Sequence, residues 1–97
     1  MTDSMLPMLR QLYDADGDRE RADILLRMPD SVLLKYRGPI VECCRRGCFE
    51  VGLAFIDLRI SLLLAVRDGQ GCAPADLARV AERYRETLAA FAAEAAA

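Results

Sequence analysis

The sequence contains no histidine and no tryptophan. Asparagine is absent too, and Lys35 is the only lysine. The missing histidine excludes the most, because it removes the commonest general base and the commonest metal ligand together. Nucleophilic catalysis would then need Lys35 or a carboxylate beside a nucleophile. No motif places either next to Ser4, Ser31 or Ser61. No glycine-rich phosphate loop occurs, and paired carboxylates fall only on turns and helix faces. These absences predict a protein that is not an enzyme and uses no cofactor. Blocks of like charge are missing as well: the formal charge is −2, with acidic and basic residues mixed along the chain. That balance favours solubility and speaks against a dedicated nucleic-acid surface.

Cysteine occurs four times, as Cys43, Cys44, Cys48 and Cys72. No C-x-x-C spacing is present, whereas a structural zinc site commonly takes four ligands as two close pairs. On a helix Cys43 and Cys44 diverge by roughly 100°, so one ion is hard to share. These four are the weak metal candidates, and the expectation is free thiols and no metal. Small buried hydrophobes in a reducing cytoplasm account for them. Arg45 and Arg46 are placed to lower a neighbouring thiol pKa, which keeps a thiol- or metal-dependent sensor as a third functional reading.

Asp14-Ala15-Asp16-Gly17-Asp18 opens like a calcium loop of the EF-hand type. Arg19 and Leu25 stand where that loop needs Gly and Glu. The stretch therefore reads as an acidic turn capping the next helix through Asp18.

What the chain does have is one long apolar stretch, Cys48 to Asp68. At helical period Glu50, Asp57, Ser61 and Asp68 fall on one narrow line. Almost everything else in it is apolar, which describes a central helix with a thin strip in water. Arg59 breaks the pattern, opposite that line among Phe55, Ile56, Leu62 and Leu63. An alternating pattern over Ile56–Leu62 supports a rival strand, and with it an α+β fold carrying a strand inside 56–64. Length decides for the helix, since one strand would run to about twice the usual length. The stretch is too short and too charged at Asp57 and Arg59 to span a membrane. It also does not follow an N-terminal basic region, so it is no secretory signal.

Other helices are expected over 1–13, 19–28, 32–36 and 40–46, with a last one beginning near Pro74. Asp3 or Ser4 caps the first, and Asp30 or Ser31 the third. Pro29, Arg37-Gly38-Pro39, Gly47 and Asp68-Gly69-Gln70-Gly71 punctuate the chain. Leu77, Val80, Tyr84, Leu88, Phe91 and Ala95 form an amphipathic stripe, and the alanine-rich tail, 92–97, frays.

The expected fold is one all-α domain over 1–97, four to six helices around Phe49–Val66. Its core takes Leu9, Leu12, Leu25, Leu33, Val51, Phe55, Leu58, Leu62, Val66, Val80, Tyr84 and Leu88. The expected function is non-catalytic protein binding by a small cytoplasmic regulatory, inhibitory or adaptor protein, and its abundant arginine and alanine with a single lysine read as the GC-rich coding bias of a bacterial protein. A homodimer is expected, because a short chain has few elements to cover an all-round apolar helix. Arg59, Gly52, Phe55 and Leu63 are the interface candidates. Arg59 needs a carboxylate, either internal, such as Asp23 or Glu42, or on a partner. The alternative is a compact helical DNA-binding regulator touching phosphates through Arg37, Arg45 and Arg46.

Overall fold

The computed structural model describes residues 7–94 and contains, within them, six helices and no strand. They are α1 (Pro7–Asp14), α2 (Asp18–Arg27), α3 (Asp30–Lys35), α4 (Arg37–Arg46), α5 (Glu50–Leu64) and α6 (Ala75–Ala93). The strand alternative within 56–64 is overturned, because that whole stretch lies in α5. The proposed caps Asp3 and Ser4, and Ala95 of the last stripe, lie outside the described residues. Ala92 and Ala93, expected to fray, belong to α6.

Each helix forms where apolar residues recur at three and four. In α5 Gly52, Phe55, Ile56 and Ile60 are buried, a single face of the helix. Glu50, Asp57 and Ser61 are exposed on the opposite line. Leu25 of α2, Leu33 of α3, Ile40 and Cys44 of α4 and Leu88 of α6 join that face in one core, to which Leu9 and Leu12 of α1 add from against α2 and α4. The ring of Phe49 meets that of Phe91 edge-on, 5.5 Å between centroids, which ties the start of α5 to the end of α6.

The expected core needs correction at its edges. Val66 is 89% exposed and Val80 40% exposed, while Val51, Leu58, Leu62 and Tyr84 are only half-buried. The described residues extend 42 × 39 × 18 Å, a slab about two helices thick. A helix in such a slab is covered on one side, so an all-round apolar α5 cannot be buried all round. The core is completed instead by Ile24, Ile40, Cys44, Phe49 and Ile60.

The corner between α4 and α5 fixes their relation. The Phe49 N–H donates to the Cys44 carbonyl at 2.9 Å, and the Cys48 N–H to the Arg45 carbonyl at 3.0 Å. These two bonds define a Schellman ending, with Cys44 and Phe49 buried across it. The residue in the left-handed region is Cys48, φ 55°, not Gly47, the residue the sequence offers as the stop. Gly47 serves a different need: a Cβ there would stand 2.5 Å from Cζ of Arg21. Gly52 is likewise internal, since a Cβ would fall 2.5 Å from the Phe49 ring. It admits an aromatic ring of its own chain and not the surface of a second molecule.

Beyond α5, Asp68 organises the loop. Its Oδ1 accepts the N–H groups of Gln70 at 2.8 Å and Cys72 at 2.9 Å. Those bonds, Cys72 first, hold its carboxyl below the usual range. The Arg67 guanidinium donates to the Leu62 carbonyl at 3.0 Å and so caps the last turn of α5. This local chemistry ends the helix before Val66.

Two substitutions at this corner should move stability in opposite directions in urea unfolding. Cys48→Gly relieves the left-handed backbone and should raise stability by about 1 kcal/mol. Gly52→Ala forces the Phe49 ring to shift and should lower it by about 1–3 kcal/mol.

Candidate functional site

Arg59 has an intrachain partner. Its Nε donates to Oδ1 of Asp30 at 3.1 Å and its Nη2 to Oδ2 at 3.2 Å, a bidentate pair joining α5 to the start of α3. The partner is neither Asp23 nor Glu42, because each of those is held on its own helix, by Arg27 and Arg45. Asp30 had a second sequence reading as a helix cap, but α3 begins after Pro29 without a side-chain cap. Its carboxylate is turned to Arg59. Asp18 differs in the same way: it is the first residue of α2, and its carboxylate binds Arg21 at 2.9 Å.

The pair stands on the rim of a cleft of about 260 Å³ among α2, α3, α5 and α6. Leu25, Met28, Leu33 and Phe55, all buried, contribute its apolar lining. Arg85 of α6 joins Arg59 in lining it. Nε of Arg85 donates to both oxygens of Glu82, at 2.9 Å each. These hydrogen bonds hold the Glu82 carboxyl below the usual range and keep Arg85 protonated above its ordinary value. The rim is thus an array of two acid–guanidinium pairs over an apolar floor. Arg85 and Asp30 were not legible as site residues. One reads as part of a wet helix face and the other as a cap, and only the packing of α3 and α6 on α5 brings them to Arg59.

Of the other interface candidates, Phe55 and Gly52 are buried inside the fold, and Leu63 is half-buried at its surface. The most exposed large apolar residues lie just beyond it: Leu64 is 68% and Val66 89% exposed. Leu64 stands seven residues past Asp57 and so continues the solvent-facing line of α5. That register was a sequence signal for an outward leucine.

The arginines of the nucleic-acid alternative do not form one free stripe. Arg37 pairs with Asp57 at 3.5 Å and Arg45 with Glu42 at 3.2 Å. The Arg46 guanidinium lies on the Tyr13 ring, 4.5 Å from its centroid. If α4 and α5 are compared with a helix-turn-helix, the outward face of α5 presents Glu50 and Asp57, which repel phosphate.

The cysteines separate by environment. Burial pushes the Cys44 thiol up to about 11. Cys43 is also raised by burial, and the opposing pull of Arg46 does not reverse it. Cys48 and Cys72 are exposed. Among the described residues, no three His, Cys, Asp or Glu side chains are grouped to hold a metal ion. None of the described helices is long and apolar enough to cross a membrane.

No known family matches this chain, and no curated protein or solved structure matches it either.

Two measurements test that geometry. Timed alkylation of the native protein should label Cys48 and Cys72 first and Cys44 last, with all four reacting at once after unfolding. Arg59→Met should cost about 1 kcal/mol in urea unfolding, well short of the roughly 3–5 kcal/mol of a fully buried pair. The reason is exposure: the two side chains are 37% and 44% exposed, so water screens the pair. A cycle with Asp30→Asn isolates that coupling.

Proposed function

We propose that this protein is a non-catalytic, cytoplasmic protein-binding module that works as a homodimer, in a small regulatory, inhibitory or adaptor role. The observation that carries the reading is the uncovered end of α5. Leu64 and Val66 stand in water there, and Leu63 is half-buried beside them. Apolar surface is also left uncovered toward the start of α6. Val80, also exposed, lies near that start.

Magnitudes support self-association. Covering Leu63, Leu64, Val66 and Val80 on both copies is worth roughly 1–2 kcal/mol per side chain. That sum exceeds the lower part of the about 4–15 kcal/mol that association costs. The surrounding charges are of both signs, Arg67 beside Asp68 and Arg79 paired with Asp76 at 3.1 Å. A two-fold axis can set such a rim against itself with opposite charges facing. The DNA-binding reading has less support, since Arg37 and Arg45 are already matched to carboxylates.

Light scattering across the micromolar range should return twice the single-chain mass. Leu64→Asp with Val66→Asp should return the single-chain mass with helicity unchanged, because both positions are exposed. A single-chain mass for the unmodified protein would refute the dimer.

A further inference from the structure

We infer that the dimer closes by a knob and a groove: Leu64 of each copy enters a groove between α1 and α4 of the other. This rests on the homodimer proposed above and supplies the second half of its interface.

The need for a second half comes from size. The uncovered patch is four side chains, and two of these are already partly covered: Leu63 is half-buried and Val80 is 40% exposed. A stable interface takes about 800 Å² and roughly 20–30 residues from each partner. The patch set against its own copy falls well short of that. A two-fold interface can instead join two different patches, because residue i meets residue j and j meets i. Every contact is then made twice, and the surface between the two patches is covered with them.

The groove has the shape and lining for this role. Its volume is about 220 Å³, and Leu9, Tyr13, Pro39, Glu42, Cys43 and Arg46 line it. Unlike the cleft beside Arg59, it has exposed walls: Tyr13 is 54% exposed and Pro39 is exposed as well. Its charged residues have their heads engaged, Glu42 by Arg45 at 3.2 Å and Arg46 over the Tyr13 ring. What they leave toward the groove is hydrocarbon stem. A cavity of about 150 Å³ already holds benzene. The groove therefore has room for a leucine side chain. Leu64 is the most exposed leucine among the described residues, and it ends its helix, with extended backbone following at Ala65.

Charge fits the same pairing. Arg46 has no carboxylate partner among the described residues. Asp68, four residues past Leu64, gives its Oδ1 to two backbone N–H groups and meets no cation there. Docking of Leu64 sets Asp68 of one copy against Arg46 of the other, at the edge of the groove.

Cys43 reports the docking, because it lines the groove and is not part of the patch at the end of α5. Light scattering gives the concentration at which the full chain pairs. Timed alkylation with peptide mapping then follows Cys43 above and below that concentration. With about nine-tenths of the chains paired, about one-tenth leave the groove open, so Cys43 should react about tenfold more slowly than in dilute protein. Tyr13→Asp puts a charge on the groove wall at an exposed position and should return the single-chain mass with helicity unchanged. Twice the single-chain mass with Cys43 alkylated equally fast at both concentrations would overturn the groove and leave the dimer standing. A Tyr13→Asp protein that still pairs would do the same. A mass that keeps rising past two copies would overturn the closed exchange, since Leu64 would then be joining copies in an open chain. A single-chain mass at every concentration would overturn both proposals together.

Discussion

The fold turns on the ring of Phe49. It is buried at the α4–α5 corner, lies against the bare backbone of Gly52 and meets Phe91 edge-on. Three constraints converge on it. The Schellman bonds aim residue 49 inward, glycine at position 52 gives the ring its space, and Phe91 closes it from α6. An alternative position for this ring would loosen α5 from α4 and α6, two of the four helices packed on it. The left-handed backbone at Cys48 persists because these contacts over-determine it.

Electrostatics in this protein is mostly local. Arg21, Arg27, Arg45, Arg79 and Arg85 each pair three or four residues away on the same helix. Such pairs steady single helices by a few tenths of a kcal/mol and say little about tertiary structure. Only Arg37–Asp57 and Arg59–Asp30 join distant parts of the described chain. Arg59–Asp30 also borders the cleft among α2, α3, α5 and α6, so one interaction both pins α3 to α5 and sets the polarity of that cleft's rim. Arg21 is a third kind of case. It is 16% exposed, donates to the Ala15 carbonyl and occupies the space that Gly47 leaves open.

The slab shape links stability to function. A small domain buries a modest fraction of its surface. Two layers cover the face of α5 that carries Phe55, Ile56 and Ile60 but leave Leu64 at its end, and Val66 beyond it, in water. The same thinness keeps the Arg59 cleft open to solvent rather than sealed in a core. The surface on which self-association is proposed is a consequence of one helix being more apolar than its neighbours can cover.

Helix positions were legible in the sequence because they depend on short-range chemistry. Pro29 and Pro74 stand just before α3 and α6, while Pro39 lies in the first turn of α4, which begins at Arg37 and not at the expected Ile40; the outward line of Glu50, Asp57 and Ser61 follows from helical period alone. The anomaly of Arg59 was equally visible, since a cation on an apolar face needs a partner. Its partner was not: Asp30 lies 29 residues away, and several carboxylates were equivalent until α3 docked on α5. Gly52 could be recognised as a point of close approach, but only the fold shows that Phe49 is what approaches. Sequence period determines which way each side chain faces on its own helix. Tertiary packing alone decided which of those faces would be covered, because coverage depends on the number and thickness of the layers around a helix.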